Sequence, residues 1–329
     1  MIDLRYHIVS IVSIFLALAV GILLGAGPLQ EDLGKTLTSQ VSTLRDEKAD
    51  LRSQLTLAER RVEAGEEFAT TVTDELVGGQ LAGRSVVLVT LPGADNDAAT
   101  ALTEVLTAAG ADVNGTVGIT SAWTDAATAS ARADVAESLG PTSTGDDTEP
   151  AEPDDRLAAA LAGALLVPRV TDADKVTATT TATLNGLKSG DLVTFDGEVP
   201  ELSTLAVVVA PAPEVPPATE PTARDRASAD LAGWLGLARA LDQAGNGAAV
   251  VGPPTSADTG GLIGAARQDG DTRRIVSTVD DLTAPMGRIA TVFALREQTQ
   301  GAAGQYGLGT GAAAVLPTQP ADPPCSRLP

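Results

Sequence analysis

Residues Ile8 to Ala26 read IVSIVSIFLALAVGILLGA, nineteen residues without a charged side chain. At about 1.5 Å of rise per residue this run makes roughly 28 Å of helix, close to the thickness of a hydrocarbon core. It predicts one transmembrane helix over 8–26, a short tail over 1–7, and the remainder of the chain on the other side of the bilayer. The competing reading is a cleaved signal peptide. Its cleavage site is poor, because Leu24 spoils a cut after Ala26 and Pro28 would follow a cut after Gly27. An uncleaved anchor is expected, with the lipid bilayer as its first partner. Arg5 lies on the short side, while Lys35, Arg45 and Lys48 lie on the long side. The positive-inside rule counts basic residues and largely ignores acids, so charge does not set the orientation. A short tail kept inside and a translocated, extracytoplasmic bulk is the simpler route.

Within the run, Ser13, Ala17, Gly21 and Gly25 recur every four residues. Small side chains on one stripe let two helix backbones approach closely in lipid. In a chain this rich in Ala and Gly the stripe also has a chance explanation. The segment that follows favours association. Leu37, Leu44, Leu51 and Ala58 are spaced by seven, and Val41, Lys48, Leu55 and Val62 interleave with them. With the first set at d and the second at a, four heptads of seam result inside a coiled coil expected over 31–76. Glu47 falls at g and Arg52 at the next e, an attractive pair between parallel chains. Lys48 at an a position costs stability and disfavours higher oligomers. The alternative, a lone amphipathic helix packed on a domain, needs a wider apolar face than a and d supply. Stripe and seam together predict a parallel homodimer, with a stalk of about 30 residues standing roughly 45 Å tall.

The pattern changes at Arg84. Ser85 to Leu91 reads as a buried strand, Asp97 to Ala109 as a helix closed by Gly110, and Asp112 to Ile119 as the next strand. This is a βαβ unit, which predicts a parallel sheet. Helices are expected at Asp125–Leu139, Arg156–Leu166, Asp172–Leu187, Arg224–Ala244, Gly260–Arg267 and Pro285–Gln298. Strands are expected at Leu205–Ala210, Ala248–Gly252 and Arg274–Val279. Residues 141–155 and 211–223 are Pro-rich and read as surface loops. The fold class is therefore α/β. One doubly wound, Rossmann-like domain is expected over 80–316, ahead of a disordered tail over 317–329.

The chain of 329 residues carries 22 Lys and Arg against 43 Asp and Glu. A surface that acidic repels nucleic acid and anionic headgroups, which excludes DNA and RNA as partners. Aromatics make up 2% of the residues, so the core has to be built from Ala, Val and Leu. Cys325 is the only cysteine, which rules out an intramolecular disulfide. The first strand ends in LPGADND rather than a dinucleotide fingerprint, and no Walker A sequence occurs. His7, the only histidine, lies at the membrane edge, so no Ser-His-Asp or Cys-His constellation can form in the soluble part. No enzyme is expected. Asp95 and Asp97 follow the first strand, and Asp280 and Asp281 follow Arg274–Val279, where α/β folds usually place ligands. The alternative is that they are solvated loop and cap residues. Soft copper ligands reduce to Met1, Met286, Cys325 and His7, no two of them close in sequence, so the residues themselves imply no metal site and no cofactor.

Three stretches together resemble a known family. They are the N-terminal MIDLRYHIVSIVSIFLALAVGILLG, the heptads after it, and the C-terminal STVDDLTAPMGRIATVFALREQTQGAAGQYGLGTGA. They are similar to the mycobacterial copper transport outer membrane protein B family of actinobacteria, and length and segment order agree. The resemblance implies copper efflux or homeostasis in the cell envelope, with copper as cargo. It also implies the family's description as pore-forming. Corynebacterial members are linked to cell separation, through a membrane partner that influences peptidoglycan hydrolases. The resemblance brings no ligand set with it. A barrel pore needs many amphipathic strands of about ten residues. The chain shows one apolar helix, heptads and strands alternating with helices. Its residues alone fit a dimeric envelope scaffold that binds partners better than a channel.

Overall fold

The computed structural model describes residues 4–26, 28–139, 152–169, 177–214, 216–217 and 219–317. The expected tail beyond Pro317 and most of the acidic loop over 141–155 lie outside the described residues. The chain divides into two compact units, Met1–Gly65 and Glu66–Pro329.

The first unit is helical. Helix α1, Leu4–Ala26, starts before the apolar run, so Leu4 to His7 of the expected tail already belong to the helix. Its segment Arg5–Leu23 has a mean hydropathy of 2.3 and is wholly unburied, long and apolar enough to cross a membrane. Helix α2, Pro28–Val77, is one continuous helix of 50 residues. Ser, Thr and Gly occur along it, but no Pro after the first position. Pro28 sits where its missing N–H costs nothing.

The second unit holds the last turns of α2 and a seven-stranded, mostly parallel sheet. Its strands are β1 (Ser85–Thr90), β2 (Asp112–Ile119), β3 (Val193–Thr194), β4 (Leu205–Val209), β5 (Ala248–Val251), β6 (Ser277–Val279) and β7 (Gln305–Tyr306). They lie in the order β3-β2-β1-β4-β5-β6-β7. Only β3 runs antiparallel, pairing Val193 with Ile119 and Thr194 with Gly118. The helices are α3 (Asn96–Ala108), α4 (Ala129–Ser138), α5 (Pro153–Leu165), α6 (Ala178–Ser189), α7 (Pro221–Ala244), α8 (Leu262–Gln268), α9 (Thr272–Ile275) and α10 (Pro285–Gln298).

The central strands β1, β4 and β5 are runs of Val, Leu and Ala because both of their faces are covered. Val86, Leu88, Leu205, Val207, Val209, Ala249 and Val251 pack with Leu102 and Leu106 of α3 and with Ile289, Val292 and Leu295 of α10. Their neighbours Val87, Val89, Ala206, Val208, Ala248 and Val250 pack on the other face with Leu161 and Leu165 of α5, Leu184 of α6 and Leu237 and Leu241 of α7. Side chains alternate across a strand with period 2, so one short apolar run supplies two cores. The first crossover ends cleanly. Gly110 takes φ +84, and the N–H of Ala111 reaches back to the Leu106 carbonyl at 3.1 Å, the left-handed closure that Gly allows at a helix end.

Several boundaries depart from the sequence reading. The expected strand over Arg274–Val279 is split, with α9 taking Thr272–Ile275 and β6 only Ser277–Val279. The Asp269 carboxylate accepts from the N–H groups of Asp271 and Thr272, both at 2.9 Å, which turns the chain into a helical turn there. The Pro-rich stretches are shorter than expected, because Pro153 starts α5 and Pro221 starts α7. Pro at the first helical position is preorganised for the helix. Asp125–Leu139 divides into a 3-10 turn at Ala126–Thr128 and then α4. Of the helix expected from Asp172, residues 170–176 lie outside the described ones, and α6 begins at Ala178 behind a Thr177–Thr180 capping box.

Candidate functional site

The residues of the expected seam lie on the single helix α2. Val41, Leu44, Leu51, Leu55 and Val62 are between 44% and 65% exposed, and Lys48 is exposed beside them. The side chain of Leu37 lies outside the described ones. On α1, a methyl group added at Gly21 or Gly25 would meet nothing within 4 Å. Ser13 turns its hydroxyl back to the Val9 carbonyl at 2.8 Å, and Ala17 is exposed. Among the described residues nothing covers the narrow apolar stripe of α2.

The four loop aspartates separate into different roles. Asp95 is the N-cap of α3, its carboxylate accepting from Asp97 N–H at 2.9 Å and Ala98 N–H at 3.1 Å. Asp97 stands in the first turn of that helix, where a negative charge suits the helix dipole. Asp280 is not a solvated loop residue. It is fully buried and paired with Arg267, Nη2 to Oδ2 at 2.8 Å. Asp281, beside it, is held at φ +74. The first pair follows β1 and the second follows β6, with β4 and β5 between them. Three strand spacings put them roughly 14 Å apart, so they form no common site.

Asp280 and Arg267 instead organise the C-terminal run. The Asp280 carboxylate accepts from Leu308 N–H at 2.6 Å and from Gly309 N–H at 3.0 and 3.1 Å. Arg267 donates to the Tyr306 carbonyl at 2.7 Å, the Thr310 carbonyl at 2.9 Å and the Thr278 hydroxyl at 2.9 Å. The Thr278 hydroxyl in turn donates to Gln305 Oε1 at 2.7 Å. Gln298 donates to the carbonyls of Ala248 and Ile275, and Tyr306 donates to Glu297. Gly307 is required at its place, because its φ is +124 and a Cβ there would lie 2.2 Å from Asp280 Oδ1. Burial lowers the Arg267 pKa from its usual value, and the adjacent Asp280 carboxylate opposes that shift. The polar residues of the C-terminal motif thus close β7 onto β6 and pin the glycine loop. Sequence reading singled out Asp280 but missed Arg267, Thr278, Gln298 and Gln305. They stand 11 to 50 residues from their partners, and only the packing of α8 and α10 against β5, β6 and β7 brings them together.

Around Asp281 the field is acidic. Burial raises its pKa above the usual value, Asp280 and Glu66 add to the rise, and Arg288 opposes it. Arg288 in turn lies within reach of Glu104 and Glu66 and donates to the carbonyls of Leu282 and Thr283. At the opposite ends of the strands a polar cleft of about 830 Å³ is lined by Arg84, Asp112, Asn114, Arg169, Glu201 and Asn246 among others. Its lining carries both signs of charge. Among the described residues, no three His, Cys, Asp or Glu side chains come together in a way that could hold a metal ion.

Residues 1–317 match the family model described as copper transport outer membrane protein, MctB. The chain is 30% identical to proteins named copper transporter MctB from Mycobacterium tuberculosis and Mycobacterium bovis, over 97% of this chain and 100% of theirs. The protein of that name from Mycobacterium leprae is 29% identical over the same shares of the two chains. The chain belongs to the MctB copper transport outer membrane protein family.

Proposed function

We propose that this member of the MctB family serves copper transport or copper homeostasis in the cell envelope, as a membrane-anchored parallel homodimer. Family membership supports the copper role, with copper as cargo. The uncovered apolar seam of α2 is the observation that carries the dimer. Leu44, Leu51, Leu55 and Val62 recur at coiled-coil spacing and are left in solvent by the single chain. Strands in the order 2-1-4-5-6-7 under helices on both faces support a doubly wound, Rossmann-like domain. α1 anchors the chain, and the bulk of it lies outside the cytoplasm.

One transmembrane helix per subunit cannot line a channel by itself, so a direct transport role requires further assembly or another envelope protein. We read the chain as a non-enzyme, because residues 80–316 contain neither His nor Cys for nucleophilic or acid–base work at neutral pH. The test is a deletion strain scored for copper sensitivity and for cell chaining. Copper hypersensitivity restored by the native chain, and not by a Leu44→Asp/Leu51→Asp variant at equal abundance, is the expected outcome. A deletion strain with native copper tolerance and chained cells would remove the copper role. Full rescue by the double variant would remove the dimer.

A further inference from the structure

Among the described residues past Val77, the exposed large apolar side chains are Met286, Leu308, Val315 and Leu316. They come from two separate stretches of chain, yet Met286, Leu308 and Val315 line one shallow depression together with Asp280 and Asp281. Three exposed apolar side chains that converge on one depression form a patch rather than scattered single exposures. The backbone that carries it is fixed from below. Leu308 N–H is held by Asp280, and the Tyr306 and Thr310 carbonyls on either side are held by Arg267. Gly307 N–H bonds the Ala314 carbonyl at 3.0 Å and Ala313 N–H bonds the Gln305 carbonyl at 2.7 Å, which fastens the stretch leading to Val315. A buried ion pair is thus spent on the shape of a surface loop whose central side chain, Leu308, is 64% exposed. A loop whose backbone is held at this many points loses little backbone freedom when something covers it.

We propose that this patch docks another envelope protein through an apolar segment flanked by Lys or Arg. The charge around the patch selects that partner. Asp281 lines the depression, Glu66 acts on it, and Glu66 and Glu104 both act on the neighbouring Arg288. Asp280 is already neutralised by Arg267. Apart from the Asp280–Arg267 pair, the described charges acting here are three carboxylates and the Arg288 guanidinium, which leaves the surroundings of the depression negative in a chain of net charge −21. Such surroundings repel an anionic lipid surface and a second copy of this acidic chain, and attract a basic segment.

The experiment places a photoreactive benzophenone side chain at Leu308 in the full-length protein, in its own membranes. Adducts are sized on denaturing gels and mapped by mass spectrometry. The same group at Ser138, exposed on α4 over the other face of the sheet, is the control. The expected result is a heteromeric adduct absent from the control, crosslinked within an apolar stretch next to Lys or Arg. Glu66→Lys and Glu104→Lys, both at exposed positions, together lower its yield by about fivefold or more, as charge reversal at a rim slows encounter. Membrane abundance of each variant reports that it folds. Adducts confined to a second copy of the chain or to its own residues 318–329 would overturn the proposal. So would an acidic crosslinked stretch, a yield indifferent to the charge reversals, or no adduct beyond the control.

Discussion

Arg267 and Asp280 have side chains 3% and 0% exposed, 2.8 Å apart. An ion pair taken this far out of water adds little net stability while it is whole, but breaking it leaves one buried charge uncompensated. Arg267→Met is therefore expected to cost about 3–5 kcal/mol, and Arg267→Met/Asp280→Asn clearly less than the sum of the single changes. Denaturant unfolding of the soluble portion from near Gln30 measures this; additive costs would mean that the two groups do not act as a pair. Asp242 behaves differently, because it is half-buried and, among the described residues, has no ion-pair partner. Burial pushes its carboxyl up to about 6, and the Ala248 N–H, donating at 2.9 Å, pulls back only in part. A pKa raised above its unfolded value makes the folded state hold the proton more tightly than the unfolded chain. Stability from this group is then fully present below about pH 4 and is lost as pH rises through 6. Asp242→Asn keeps an acceptor for Ala248 and removes the charge. It should raise the Tm at pH 7.5 and change it little at pH 4; an equal shift at both values would refute the assignment.

At the scale of elements, α2 carries two kinds of surface on one helix. Its last turns bury Thr73 and Val77, whereas the seam from Val41 to Val62 is bare. Val77 joins the core formed by Leu81, Leu106 and Val86, so the end of the helix needs no second chain. The bare part does. Replacing Leu44 and Leu51 with Asp puts charges into the seam, where each is costly to bury. Sedimentation of the soluble portion should change from dimer to monomer, with the far-ultraviolet signal of the α/β domain retained. Lys48→Leu should have the opposite effect, tightening association and admitting higher oligomers, because the buried amine no longer limits the number of helices. A dimer that persists through the Asp double change would place its interface elsewhere.

For the whole molecule the question is how a copper transport family acts through a chain like this one. The described strands all belong to one open sheet, edged by β3 and β7 and covered by helices on both faces. The soft ligands available between residues 80 and 316 reduce to Met286, which is 41% exposed. Copper prefers imidazole and sulfur donors, and carboxylates alone make weak, poorly selective sites. Calorimetric titration of the soluble portion with Cu(I) under reducing conditions, and with Cu(II), should therefore show no nanomolar site. A stoichiometric tight site would assign copper binding to this domain directly. Weak binding would place the contribution of this domain in anchoring and in partner contacts.

The sequence by itself determined the N-terminal apolar helix, the long helix that carries the heptads, the central strands and most helix positions. Each of these rests on a repeat or a run carried by neighbouring residues: nineteen uncharged residues, a spacing of seven, Val-rich segments between Gly and Pro. It also determined that Asp95 and Asp97 stand at a helix start, because capping is local. Tertiary structure alone decided the fate of Asp280. In sequence it is one of two aspartates after a strand, the same as Asp281. In the fold it is buried with Arg267, which lies 13 positions earlier, and closes on Leu308 and Gly309, which lie 28 and 29 positions later. The same holds for β7, whose two residues in a Gly-rich stretch carry no periodic signal and become a strand only through Thr278 and Val279 of β6. A hydrogen-bonded pair between distant segments leaves no period in the sequence, so only closure of the sheet could reveal the clasp and the patch of Met286, Leu308 and Val315 above it.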